Sequence, residues 1–199
     1  MAKTLEILGD NRFPAFTKTR VACRGIVIRE GKILLSREEN ADLWLIPGGG
    51  LEGEETIEAC CAREILEETG YIVRPEVQFL ILREYYGEYC YVSHYFTCAV
   101  TGKGAVHLTE EERRRGLVPR WIPWAEALSI FSRHADYAPD HEEKRGAYLR
   151  EYTALLEYAA QFPEGKNENE KCLICGNGPA DHHRIQDRDG IKCAPEFPG

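Results

Sequence analysis

Residues 47–71 read "PGGGLEGEETIEACCAREILEETGY", a glycine turn set against a segment whose polar positions are nearly all carboxylates. From Ile57 to Thr69 there is no proline or glycine, and Ile57, Cys61 and Ile65 recur at i, i+4 and i+8. The run stops at Gly70, a residue suited to the left-handed conformation at a helix end, so the pattern predicts one amphipathic helix. On it Glu64, Glu67 and Glu68 share a face. Like charges at that spacing cost about 0.2–0.5 kcal/mol per pair. The acids also lie near the negative end of the helix dipole, and Arg63, at i+4 from Glu67, cannot neutralise three of them. A solvated acidic face is the ordinary explanation for such a run. It leaves unexplained why the acids sit where local electrostatics penalises them, beside a turn whose bare backbone can approach a ligand closely. Clustered hard oxygen donors suit Mg²⁺ or Mn²⁺, which bridge to phosphate oxygens.

The chain around this stretch has 199 residues, 43% hydrophobic and 29% charged, which is ordinary composition for one globular domain. A net charge of -8 and a pI near 5.4 argue against nucleic acid as a partner, because counterion release requires a basic surface. No apolar run approaches the roughly 20 residues of a membrane span, and "MAKTLEILGDNRFPAFTKTR" lacks the apolar core of a signal peptide. The expectation is a soluble, cytoplasmic protein with no membrane partner. Five of the eight cysteines, Cys23, Cys60, Cys61, Cys90 and Cys98, fall in apolar strand-like or helical segments and read as reduced core residues.

"VACRGIVIREGKILLSRE" reads as two β-rich runs around Glu30-Gly31, and "DLWLIPGGG" as a short strand stopped by proline and glycines. "EVQFLILREYY" and "YCYVSHYFTCAVTG" form a further strand pair around Gly87-Glu88. "LTEEERRRG" is a charged loop or short helix, "LVPRWIPW" a short strand, "WAEALSIFSRH" a helix, and "EKRGAYLREYTALLEYAAQF" a C-terminal helix packing back on the sheet. From Pro163 the polar "PEGKNENEK" marks a boundary. The division predicted is an N-terminal extension 1–19, a domain 20–162 and a tail 163–199.

The spacing Gly49, five residues, Glu55, seven residues, then Arg63-Glu64-Ile65-Leu66-Glu67-Glu68-Thr69-Gly70-Tyr71 resembles the Nudix box, the signature of Nudix hydrolases. Gly49, Glu55, Arg63, Glu64, Glu67, Glu68 and Gly70 all match; Tyr71 stands where an aliphatic residue is usual, and Glu54 where members often have glycine. The resemblance extends over residues 20–161. It implies an α/β fold, a Nudix-type mixed β-sheet sandwiched between α-helices. It further implies that Glu64, Glu67 and Glu68 hold Mg²⁺ or Mn²⁺, with the Gly49 carbonyl as a further ligand, Arg63 orienting the carboxylates and Glu55 tying loop to helix.

The reaction implied is hydrolysis of a nucleoside diphosphate linked to another moiety, with a small-molecule nucleotide as partner and a homodimer left open. Glu64 or Glu68 would be the base; Glu110, Glu111 and Glu112 are alternatives from a later loop, against a plain charge run balanced by three arginines. Arg37 is placed to contact phosphate or to be a surface arginine. Trp44 and Trp121 would stack on a base or belong to the core. Tyr85, Tyr86, Tyr89 and Tyr91 lie where dinucleoside-polyphosphate hydrolases carry a substrate tyrosine, although a tyrosine-rich strand pair explains them equally well. The proline that marks many ADP-ribose hydrolases is absent. The competing reading is a Nudix-fold nucleotide-binding or regulatory module without hydrolysis, with a zinc-stabilised tail for interactions. Cys172-x-x-Cys175 followed by Gly-Asn-Gly resembles a zinc knuckle, and with His182 or His183 and Cys193 it would complete a tetrahedral Zn²⁺ site.

Overall fold

The computed structural model describes residues 1–8, 15–137 and 141–163, all within one compact unit, Met1–Gly165. The zinc ligands expected in the tail, Cys172, Cys175, His182 and Cys193, lie outside the described residues. The chain runs β1 (Lys3–Leu8), β2 (Lys18–Arg29), β3 (Lys32–Glu38), β4 (Leu43–Leu45), β5 (Gly48–Gly50), α1 (Ile57–Thr69), β6 (Tyr71–Tyr86) and β7 (Tyr89–Lys103). It continues through α2 (Glu110–Arg115), β8 (Leu117–Pro123), α3 (Trp124–Ser132), a 3₁₀ turn (Arg133–Tyr137) and α4 (Glu142–Gln161).

The eight strands form one mixed sheet in the order β1-β6-β7-β2-β3-β4, with β5 on β2 and β8 on β3. The β6–β7 hairpin is antiparallel, whereas β2 lies parallel to β7 from Lys18 opposite Tyr89 to Val27 opposite Cys98. Glu30 and Gly31 both have positive φ, 53° and 71°, which suits a two-residue turn. Only Ile28–Ile33 and Arg29–Lys32 pair across this turn, and β2 and β3 then separate. The chain from Leu43 to Gly50 runs into the gap, pairing first with Ser36–Glu38 of β3 and then with Ala22–Arg24 of β2. The glycines read as a strand stop are thus themselves a short strand. Their bare backbones can lie in the gap where side chains would collide.

Helices cover both faces. On one, α1 buries Cys60, Cys61 and Ile65 against Cys23, Val27, Leu34, Val73, Phe96 and Cys98. On the other, α3 and α4 bring Ala127, Phe131, Tyr148, Ala154 and Leu155 onto Ile26, Ile33, Leu35, Leu80, Leu82 and Tyr95. All five described cysteines are free and buried, as core residues should be. The segment 1–19 carries β1, parallel to β6 with Lys3 opposite Leu80, so it joins the sheet as an edge strand. Its period-two signal is weak because only Leu5 and Ile7 turn inward onto the core. Among the described residues no helix is long and apolar enough to cross a membrane.

The α1 layer approaches β2 most closely at Gly25, where an added Cβ would overlap Ile65 Cδ1 and stand 2.7 Å from Cys98 Sγ. Overpacking of this kind typically costs about 1–3 kcal/mol. Gly25→Ala is therefore expected to lower the unfolding free energy by that amount, read as a lower urea midpoint with an unchanged slope; a midpoint equal to wild type would show that the layer spacing is not limited there.

Candidate functional site

Two glycines make the turn before α1 possible. Gly48 has φ +143°, and a Cβ there would stand 2.7 Å from Arg24 Cα; at Gly49 a Cβ would lie within 2.5 Å of the Glu64 carboxyl carbon. The Glu64 carboxylate therefore rests directly on the backbone of the turn, which no residue with a side chain would permit. Helix α1 begins at the N-cap Thr56, whose hydroxyl accepts from Ala59 N at 3.2 Å, and ends at Gly70 in the left-handed conformation.

Arg63 is the centre of the acidic face. Its Nη2 and Nε donate to the two oxygens of Glu55 at 2.6 and 3.1 Å, its Nη1 to Glu64 Oε1 at 2.9 Å and Glu67 Oε2 at 3.1 Å, and Nη2 also to the Gly50 carbonyl at 3.0 Å. One planar guanidinium thus joins three carboxylates and the turn, which a lysine could not do. Glu55 also accepts from Glu52 N at 2.9 Å. The Arg63 hydrogen bonds hold the Glu55 carboxyl down at about 2. Burial pushes Glu64 upward, against the opposing pull of Arg63.

Glu68 turns the other way. Its Oε2 accepts from Ser36 Oγ at 2.6 Å and from Gly48 N at 3.4 Å. Burial pushes it up to about 8; the neighbouring Glu64 and Glu112 add to the rise, while Ser36 and Arg24 oppose it. Cys60 closes the underside of the turn, its thiol donating to the Gly50 carbonyl at 3.5 Å and the Gly49 carbonyl at 3.8 Å. Burial raises its pKa and keeps it a thiol. Neither Ser36 nor Cys60 stood out in the sequence. Ser36 is the one polar residue of the "ILLS" run whose alternation with Leu34 places it toward α1, and that was a usable signal.

Of the three glutamates expected on one helix face, Glu64 and Glu67 share Arg63 and Glu68 accepts from Ser36. Among the described residues no three His, Cys, Asp or Glu side chains form a ready metal group. The donor chemistry nonetheless fits a hard divalent cation. Every available donor is oxygen, Glu64 and Glu68 are buried on one helix face, and burial and mutual repulsion both penalise their charge. Glycine at position 49 leaves room for a carboxylate where a Cβ would otherwise stand.

Of the later-loop glutamates, Glu111 pairs with Arg114 and Arg115, and Glu112 forms the capping box of α2 with Thr109. The charge of Glu112 contributes to the upward shift of both Glu64 and Glu68. Arg37 lies on the opposite face of β3 from Ser36, its guanidinium 4.9 Å over the Trp44 ring and 3.1 Å from Asp42. Its Nε is buried and has no hydrogen-bond partner among the described residues. Trp121 donates to Tyr71 Oη at 2.9 Å and meets that ring edge-on, which accounts for a tyrosine at an otherwise aliphatic position. Tyr85 bonds Glu6, and Tyr89 stacks on Tyr91.

The family model described as "NUDIX domain" matches residues 18–143. A "MutT-like protein" of Streptomyces ambofaciens is 46% identical over 61 residues, 30% of this chain and 38% of its own length. The "Putative ADP-ribose pyrophosphatase YjhB" of Bacillus subtilis is 35% identical over 106 residues, 48% of each chain. The chain thus spans less than half the length of these two curated relatives. A solved structure, "NUDIX hydrolase from Nitrosomonas europaea", shares the fold with a TM-score of 0.50 and 24% identity, covering 68% of this chain and 89% of its own.

Because Arg63 depresses Glu55 below the ordinary value of about 4.3, its ionised form stabilises the fold above that pH, and the contribution is lost as pH falls toward 2. In Glu55→Gln this component is absent. The thermal midpoint of the variant should fall less steeply between about pH 4.5 and 2 than that of wild type. Parallel acid limbs in the two profiles would refute the Arg63–Glu55 coupling.

Proposed function

The chain belongs to the Nudix family, and on that premise we propose that it is a divalent-metal-dependent pyrophosphohydrolase acting on a nucleoside diphosphate linked to another moiety. The observation that carries this reading is the Arg63-centred set of Glu55, Glu64 and Glu67 against the Gly49–Gly50 turn, with Glu68 behind it on Ser36. Glu64, Glu67, Glu68 and the Gly49 carbonyl would hold Mg²⁺ or Mn²⁺. The ion would polarise the pyrophosphate oxygens and lower the pKa of a bound water. The chain's own residues supply the rest. Arg63, fixed by Glu55, keeps Glu64 and Glu67 oriented; Glu64, Glu68 or Glu112 takes the proton of the attacking water. Arg37, stacked on Trp44, is the proposed contact for the remoter part of the substrate.

The substrate class is supported by the names of relatives, including the "ADP-ribose pyrophosphatase" of Methanocaldococcus jannaschii and the "Putative ADP-ribose pyrophosphatase YjhB" of Bacillus subtilis. The catalytic unit proposed is residues 20–162, with 163–199 as a separate tail that would hold Zn²⁺ through Cys172, Cys175, His182 and Cys193.

A panel of ADP-ribose, nucleoside triphosphates, nucleotide sugars and dinucleoside polyphosphates, incubated with Mg²⁺ and resolved chromatographically for the nucleotide and its phosphorylated partner or pyrophosphate, tests the proposal. Turnover of at least one class is expected, abolished by chelator. Glu67→Gln and Glu68→Gln should each lower it by at least about 100-fold, the scale of losing several kcal/mol of charge stabilisation. Full activity in both variants would overturn the assignment.

A further inference from the structure

Arg24, opposite Gly48 in the β2–β5 pair, gathers three contacts on one nitrogen. Its Nη1 donates to the Ile46 carbonyl at 3.0 Å and the Gly48 carbonyl at 3.4 Å, and stands 3.7 Å from Glu151 Oε1. Glu151 belongs to α4 and is completely buried. Its Oε2 accepts from Tyr95 Oη at 3.0 Å and its Oε1 from Arg150 Nη2 at 2.8 Å, and Arg150 Nη1 in turn lies 3.6 Å from Glu84 Oε2. Two arginines and two glutamates therefore alternate through the interior on the α4 face of the sheet. Such an arrangement is poor value as a source of stability, since apolar residues of the same volume usually serve as well. What it supplies is a fixed geometry at the place where it ends.

That place is the glycine turn. Arg24 holds the carbonyls on either side of Pro47, and the next residue, Gly25, donates its N–H to the Pro47 carbonyl at 3.1 Å. Three consecutive carbonyls are thus pinned to Arg24 and Gly25. The amide of Gly48 in the same turn donates to Glu68, and its next residue supplies the Gly49 backbone on which Glu64 rests.

We propose that Arg24 and Glu151 are positioning residues for the divalent-cation site, through which α4 fixes the turn that places Glu68, Glu64 and the Gly49 carbonyl. Glu151 lies beyond residues 18–143, so this support comes from outside the matched family region. The inference rests on the proposed metal site, and the test separates the two.

Mn²⁺ alone is titrated into the full-length protein and the free ion read by electron paramagnetic resonance, with thermal unfolding followed in parallel. Residues that orient metal ligands typically carry about 10–100-fold in metal affinity. Glu151→Gln and Arg24→Met should each weaken Mn²⁺ binding about 10-fold or more, and the double variant should lose little beyond either single one. Ile33→Val, a core change on the same face beside the Glu30-Gly31 turn, should lower the unfolding temperature while leaving Mn²⁺ affinity within about twofold. If Glu151→Gln does not fold, Glu151→Asp keeps the charge and draws the carboxylate back from Arg24, and a loss of about threefold or more is expected. Folded Glu151 and Arg24 variants that bind Mn²⁺ like wild type would overturn the inference alone, as would an equal loss in Ile33→Val. A wild-type protein that binds no Mn²⁺ would overturn the metal site and the inference with it.

Discussion

Glu55, Glu64 and Glu67 are held together by Arg63. Without its guanidinium, Glu55, Glu64 and Glu67 would face one another across the Gly50 backbone with nothing to share their charge. With it, one cation makes a bidentate pair to Glu55 and single bonds to Glu64, Glu67 and the Gly50 carbonyl. Charge-assisted hydrogen bonds of this kind are about twice as strong as neutral ones, and their fork geometry fixes direction as well as distance. The glutamates keep a defined orientation although helix position and dipole both disfavour them. Arg63 thereby relieves the part of the electrostatic conflict that involves Glu64 and Glu67, and leaves Glu68 to Ser36 and the Gly48 amide.

The second constraint is steric. Gly48 and Gly49 let the turn lie against β2 and let the Glu64 carboxylate lie against the turn. The turn in turn occupies the gap between β2 and β3, strands that pair at only two positions beside Glu30-Gly31. Helix α1 reaches Gly48, Gly49 and Gly50 from one face through Glu68, Cys60 and Arg63, and Arg24 reaches the Ile46 and Gly48 carbonyls from the other, so the turn lies between the two helical layers. A change on α4 can thus be felt at the site without any contact to it.

Much of this was legible in the sequence. The bounds of α1, its C-terminal glycine, the positive-φ turn at Glu30-Gly31 and the β6–β7 hairpin all follow from local rules, and the spacing of Glu55, Arg63, Glu64, Glu67 and Glu68 pointed to a shared site. What was not legible depends on residues far apart in the chain. Edge strand β1 is stabilised by a partner nearly 80 residues away, and its two inward residues give little periodic signal. The glycines 48–50 form a strand only because β2 and β3 leave a gap there. That Glu68 parts from Glu64 and Glu67 depends on Ser36, 32 residues upstream, and on a backbone amide. Tyr71, a departure from the expected aliphatic residue, is explained by Trp121, 50 residues on.

The central claim is that Glu64, Glu67 and Glu68, ordered by Arg63 and the glycine turn, form one divalent-cation site. An anomalous-difference map from crystals grown with Mn²⁺ tests it most directly. The account predicts a peak bounded by carboxylate oxygens of all three glutamates and the Gly49 carbonyl, with Glu55 still on Arg63. A Mn²⁺ peak elsewhere in the molecule, with Glu64 and Glu67 unmoved on Arg63 and Glu68 on Ser36, would contradict it.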